Sequence, residues 1–313
     1  MNNVRFAAQI IINGGLVAFP TETVFGLGAD ATNDQACKKI FALKNRPFIN
    51  PLIVHVDSKA SAEEFAIINT EQAKKLIEAF WPGPLTIVVP LKKNSKIASS
   101  VLGKNNTVAI RMPAHDLALD LIKQAKCPIA APSANPSGYI SSTSSNHVLK
   151  HFSKKDVFIL NSSDCKYGLE STIVDLTSLE ITVLRHGFIT TESIEAVLEQ
   201  QIKIDAGDNE VIRSPGMLSK HYAPYSKIRL NADSLYNNEI GLDFGNNELL
   251  GPHSLNLSKK GDLIEAAANL YKMLRKLDEE AMLNNHVIAI ANVPFFGIGR
   301  AINDRLKRAA SSE

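Results

Sequence analysis

The patterning of the chain predicts an α/β fold with a large sheet, joined to a second, smaller α/β unit. Three observations carry this. Helical periodicities and short apolar runs interleave up to about residue 205, the pattern then breaks, and it resumes near residue 228. The length of 313 residues leaves each unit enough chain for its own core.

In order along the chain, helical patterns fall near 5–13, 34–43, 71–80, 115–126 and 191–200. Strand-like runs fall near 16–19, 52–56, 85–91, 107–111, 128–131, 157–160, 171–176 and 180–185. Trp81-Pro-Gly-Pro84 ends one helix and launches a strand, and Pro47 stops the helix that carries Lys44. The Ser-rich piece 137–145 reads as a mobile loop. Beyond the break come a strand at 228–230, a helix at 263–281, a strand at 287–291 and a helix at 299–310. In the long helix, Leu263, Ala266, Ala267, Leu270, Leu274 and Leu277 form one apolar stripe, which a core-facing helix explains. The expected organisation is a catalytic unit at 1–205, a linker or active-site lid at 206–227 and an α/β unit at 228–313.

Candidate chemistry sits at the ends of the strands. Phe19-Pro-Thr21-Glu22-Thr23-Val-Phe25-Gly26-Leu-Gly28 follows an apolar run, and its glycines read as turn residues. Lys44 and Arg46 follow, then His55. Arg111 closes Thr107-Val-Ala-Ile-Arg-Met-Pro113, Ser133 and Asn135 lie in Ala131-Pro-Ser-Ala-Asn-Pro-Ser-Gly138, and Ser171 lies in Gly168-Leu-Glu-Ser-Thr172. Arg185 ends a further strand, and Tyr222 lies in a segment punctuated by Pro215, Gly216 and Pro224. Cations beside hydroxyls and free backbone N–H groups suit phosphate or carboxylate. Each residue also has a plain reading. Lys44 and Arg46 could be a solvated helix end, His55 a hydrogen-bonded strand residue, and the serines turn residues. Glu22 and Glu170 remain unassigned. A strand-end cation facing a polar loop is harder to explain away, which singles out Arg111.

Taken in order, these fragments closely resemble the threonylcarbamoyl-AMP synthases, in the long form that joins a YrdC-type domain to a second C-terminal domain. The resemblance is strongest over 16–187, clear at 214–224, and returns at 297–306. It implies a YrdC-like twisted mixed sheet with a concave basic groove and a smaller Rossmann-like C-terminal domain. It also implies a reaction in which L-threonine, bicarbonate (or carbon dioxide) and ATP give threonylcarbamoyl-adenylate and pyrophosphate, with Mg2+ accompanying ATP. The product serves the threonylcarbamoyladenosine modification of tRNA next to the anticodon. A tRNA threonylcarbamoyl transferase complex is the implied downstream partner, and direct tRNA binding stays open. By the same resemblance, Lys44, Arg46 and Arg111 are catalytic. Lys44, Thr107, Ser133, Asn135, Arg185 and Tyr222 meet the nucleotide, and Thr21, Arg46, His55, Arg111 and Ser171 meet threonine. No residue is assigned to a protein-held metal. Phe25 stands where tyrosine is frequent, and His186 where proline is usual.

The bulk properties exclude several classes. A net charge of +2 supplies no global field for nucleic acid or membrane. Cys37, Cys127 and Cys165 lack Cys-x-x-Cys spacing, which argues against a disulfide framework or structural zinc and for a reducing, cytoplasmic setting. No run reaches the roughly 20 apolar residues of a membrane span, and no signal peptide is evident. There is no P-loop, no His-Glu-x-x-His and no Gly-x-Ser-x-Gly. Gly297 and Gly299 resemble half of a dinucleotide loop, but Ile302 occupies the third glycine position. A non-catalytic RNA-binding module is the main rival. It would call for exposed stacking aromatics, and only 6% of this chain is aromatic. A carbamoyl-transferring maturation factor would add zinc-finger cysteines that are absent here.

Overall fold

The computed structural model describes residues 3–103, 105–205, 221–246, 250–251 and 254–311. The first unit runs α1 (Asn3–Ile12), β1 (Val17–Phe19), β2 (Gly26–Asp30), α2 (Asp34–Lys44), β3 (Ile53–His55), α3 (Lys59–Phe65) and α4 (Glu71–Phe80). It continues through β4 (Leu85–Pro90), α5 (Ser99–Leu102), β5 (Thr107–Arg111), α6 (Asp116–Ala125), β6 (Ile129–Ala131) and α7 (Ser145–Leu149). It closes with β7 (Phe158–Ile159), β8 (Thr172–Asp175), β9 (Thr182–Arg185), α8 (Thr191–Leu198) and β10 (Lys203–Ile204). The second unit is β11 (Ile228–Arg229), β12 (Glu239–Asp243), β13 (Leu255–Asn256), α9 (Leu263–Asn284), β14 (Val287–Ile290) and α10 (Ile298–Ala310).

The first unit forms a mixed ten-stranded sheet in the order β10-β9-β8-β4-β5-β3-β6-β2-β1-β7. The second forms a four-stranded sheet, β11-β14-β12-β13, whose described pairings are all parallel. Alternation along the strands sorts residues to two faces. Val54 and Ile110 join the main core, whereas Ile53 and Ala109 join a small apolar cluster with Val88, Ile173 and Leu184 on the other face. Two residues on from Ile53 and Ala109, His55 and Arg111 share that second face and pair across β3 and β5. The sheet thereby sets an imidazole beside a guanidinium.

Two sequence expectations and one alternative reading need correcting. Gly26 and Gly28 lie in strand β2, not in a turn. A Cβ on Gly28 would come within 2.7 Å of both Ile129 and Phe19, so close packing, not turn geometry, requires glycine there. The stretch 137–145, read as a mobile loop, holds Ser141, Ser142 and Thr143 fully buried, with the Ser142 carbonyl accepting from Phe25 N–H. Lys44 and Arg46 are not a solvated helix end. Asn45 adopts a left-handed φ of 52° at the C-cap, and both flanking cations are buried.

The two units share one core. Val24, Tyr139, Ile140, Leu169 and Tyr222 pack in a single cluster with Leu270, Tyr271, Leu274 and Leu277 of α9. Asp278 of α9 accepts from the Tyr139 hydroxyl at 2.7 Å and from the backbone of Tyr225 and Ser226. Arg275 donates to the carbonyls of Ser141 and Ile140. The α9 stripe is thus only half of that helix's role, because its polar residues grip the first unit. The expected lid lies mostly at 206–220, outside the described residues. Its end, from His221 on, is described.

Candidate active site

A cavity open to solvent lies on the second face of the large sheet. Eight of the residues singled out in the sequence line it: Thr21, Arg46, His55, Arg111, Ser133, Ser171, Arg185 and Tyr222. Arg111 is fixed on three sides. Its Nη2 donates to Glu22 Oε1 at 2.6 Å, its Nη1 to the Thr23 hydroxyl at 3.0 Å, and its Nε to the Gly83 carbonyl at 3.1 Å. Arg46 donates to the carbonyls of Asn50 and Pro51, just beyond its own helix. Arg185 donates to the Ser171 carbonyl and hydroxyl, each at 3.1 Å. That hydroxyl also lies 2.7 Å from the hydroxyl of Thr86. Thr21 turns the loop before β2, accepting from the N–H groups of Thr23 and Val24 and donating to the Val24 carbonyl.

The titratable groups separate into charged and neutral sets. Burial, reinforced by Arg111, pulls His55 down to about 3, so its imidazole is neutral at ordinary pH. Burial and four neighbouring cations likewise hold His221 well below the usual histidine range. Burial also lowers Arg46 and Arg185, but guanidinium groups start so high that they stay protonated. The cavity therefore gathers three guanidinium groups, two neutral imidazoles, hydroxyls and the Glu170 carboxylate. Such a set suits a ligand with several anionic oxygens.

Three expected site residues do not line the cavity. Lys44 is wholly buried behind it and donates to the carbonyls of Ser133, at 2.6 Å, and Asn135. It organises the loop that presents Ser133 and does not reach outward. Burial, then Arg46, pushes its pKa well below the usual lysine value. The Asn135 amide turns into its own loop, donating to the carbonyls of Pro136 and Tyr139. Thr107 starts β5 opposite Pro90, whereas Arg111 ends the strand opposite His55. Four residues of strand separate them by roughly 13 Å.

Thr23, His221 and Glu170 also line the cavity; the sequence reading gave Thr23 and His221 no role and left Glu170 unassigned. Glu22 and Glu170 stood inside the quoted motifs, but their roles depend on partners far away in sequence. No group of three His, Cys, Asp or Glu side chains poised for a metal occurs among the described residues. Nor is any described helix long and apolar enough to cross a membrane.

Comparison with known proteins matches the chain to one family along nearly its whole length. The Sua5/YciO/YrdC family, described as "Telomere recombination", matches residues 9–187, and the family described as "Threonylcarbamoyl-AMP synthase, C-terminal domain" matches residues 189–311. The threonylcarbamoyl-AMP synthase of Pyrococcus abyssi is 39% identical, with 98% of this chain and 94% of the relative covered. That of Bacillus subtilis is 38% identical, with 97% and 92% covered. The crystal structure of P. abyssi Sua5 complexed with L-threonine superposes with a TM-score of 0.88 at 36% identity, covering 98% of this chain and 94% of that one. The chain belongs to the threonylcarbamoyl-AMP synthase family, in the long form that carries the Sua5-type C-terminal domain.

Proposed function

We propose that this chain joins L-threonine, bicarbonate or carbon dioxide, and ATP into L-threonylcarbamoyl-adenylate, releasing pyrophosphate. The observation that carries this reading is the set of three buried arginines, Arg46, Arg111 and Arg185, around one cavity. The threonine amine captures carbon dioxide, forming an N–C bond and losing a proton. A carbamate oxygen then attacks the α-phosphorus, and the bond from that phosphorus to the bridging oxygen breaks as pyrophosphate leaves. The carbamate, ATP, the adenylate and pyrophosphate are all anionic, so fixed cations stabilise the developing charge without a covalent intermediate. Arg111 meets the carbamate and α-phosphate. Arg46 steadies the charge beside it, and Arg185 and Ser133 meet the nucleotide. Thr21, His55 and Ser171 shape the threonine pocket, with His55 as a neutral donor or acceptor. His221 and Tyr222 close one side and exclude water from a labile adenylate.

Magnesium enters as MgATP. It takes phosphate oxygens and waters with few protein ligands, which fits a cavity rich in cations and hydroxyls. The adenylate feeds tRNA threonylcarbamoylation through a separate transferase complex. In the test, pyrophosphate release requires threonine, bicarbonate and magnesium together. Equal release with threonine omitted would overturn the reading.

A further inference from the structure

Among the described residues, no side chain from β11 to α10 lines the cavity wall, yet two residues of the C-terminal unit reach a carboxylate that is part of it. We infer that Glu170 is a positioning residue for adenylate formation, held in place across the domain boundary by Tyr271 of α9 and Arg305 of α10. The inference rests on the functional reading above and adds to it a catalytic dependence on the second unit.

The geometry is closed on every side. The Tyr271 hydroxyl lies 2.9 Å from Glu170 Oε2 and 3.2 Å from Oε1, and Arg305 Nε lies 3.0 Å from Oε2. The Ser141 hydroxyl donates to Oε1 from the first unit. Both carboxylate oxygens are thus engaged, and Glu170, Tyr271 and Arg305 are all buried. The next residue is Ser171, whose hydroxyl and carbonyl hold Arg185. A shift of Glu170 therefore moves a hydroxyl and a guanidinium of the cavity together.

A second observation points the same way. Gly168 has a φ of +68°, and a Cβ there would fall 2.6 Å from the Ala267 carbonyl oxygen and 2.7 Å from the Ala268 Cα. The backbone of this site loop is pressed directly on the backbone of α9, at a contact only glycine permits. The cavity wall is fitted to the same surface. Tyr222 stacks against Tyr271 with centroids 5.8 Å apart, and the Arg305 guanidinium lies 5.0 Å from the Tyr222 ring centre. A salt bridge that only tethered two domains would not need to sit on the cavity wall or to be backed by a glycine contact.

Electrostatics supplies a readout. Burial alone would raise Glu170, but Arg305, then Arg185 and Ser141, outweigh it and hold the carboxyl below its usual value. The charged and titratable groups facing it are Arg305, Arg185, Tyr271 and Tyr222. Without Arg305, burial dominates and the carboxyl moves up, so an unpaired carboxylate appears only as pH rises.

The test compares wild type with Tyr271→Phe, Arg305→Met, Glu170→Gln and the double variant Glu170→Gln/Arg305→Met, by threonine- and MgATP-dependent pyrophosphate release and by melting temperature. Lys272→Ala, an exposed residue of α9, is the control. Tyr271→Phe should raise KM for threonine about fivefold with kcat near wild type, the effect of one lost bond to a charged group. Arg305→Met should cut kcat/KM about a hundredfold and add a limb in which activity falls as pH rises. The double variant should lose that limb and be no worse than Glu170→Gln alone. Additive losses, or losses in melting temperature with KM and the pH profile unchanged, would overturn the inference. Should Arg305→Met fail to fold, Tyr271→Phe decides alone, and an unchanged KM refutes the coupling. A wild type that releases no threonine-dependent pyrophosphate would instead sink the functional reading.

Discussion

Two buried guanidinium–carboxylate pairs flank the cavity, and they are built the opposite way round. In Glu22–Arg111 the cation lines the cavity and the carboxylate stands behind it, both within the first unit. In Glu170–Arg305 the carboxylate lines the cavity and the cation stands behind it, on the second unit's last helix. Glu22 keeps one oxygen without a hydrogen-bond partner among the described residues, whereas both Glu170 oxygens are engaged. In the proposed reaction the first pair presents charge to a substrate, with Glu22 making the burial of Arg111 tolerable. The second fixes the place of a loop. The same chemical pair does two jobs, and which partner faces the cavity separates them.

The largest expected effect comes from breaking the first pair. Arg111→Ala removes a charge-stabilising donor and strands a buried carboxylate. Turnover should fall at least roughly a hundredfold, with about 3–5 kcal/mol lost from stability. Adding Glu22→Gln should restore the melting temperature without restoring turnover, because the substrate still lacks its cation. In the second pair the companion change relieves the catalytic defect. Recovery of activity in the Glu22→Gln/Arg111→Ala variant would erase the distinction. Arg46→Ala should also cost about a hundredfold in turnover, but less in stability, since its protein partners are backbone carbonyls and not a buried carboxylate.

A smaller effect is expected from pH. The folded His55 pKa of about 3 lies below the unfolded value near 6.5, so between those values only the unfolded chain gains the proton. Its contribution to stability is complete above pH 6.5 and is lost as pH falls toward 3, at up to about 1.4 kcal/mol per unit. His55→Gln should flatten that acid limb in melting curves, and an unchanged limb would show that His55 does not titrate as its burial implies. The smallest effect belongs to Thr107→Val, far along β5 from Arg111. Turnover should stay within about twofold, the usual range for a substitution away from a special feature. A loss of tenfold or more would return Thr107 to the site.

The sequence made the strand-end cations legible because alternation and a following breaker mark where a strand stops. The spans 107–111 and 182–185 show this, and Arg111 and Arg185 stand where they were expected. It misled where glycine carries two meanings. Gly26-Leu-Gly28 reads as a turn until Phe19 and Ile129 are seen to fill the space above it. Strands β12 and β13 went unread: β13 has only two residues, both half-buried, and β12 carries a carboxylate at each end and a glycine at its centre. Lys44 was recognised as important, but nothing local reveals that its ammonium turns inward to carbonyls 89 and 91 residues away. The partners of Glu170 on the second unit lie 101 and 135 residues further on. Long-range pairing leaves no mark on local periodicity.

In the proposed function the arginine-lined cavity activates a carbamate of threonine, not threonine's own carboxylate. Both routes release pyrophosphate from ATP, so mass analysis of the adenylate decides between them. With 13C-bicarbonate, L-threonine and MgATP, the product should be threonylcarbamoyl-adenylate carrying one 13C atom, which Arg111→Ala should all but abolish. An adenylate of unmodified threonine, free of 13C, would rule out carbamate activation.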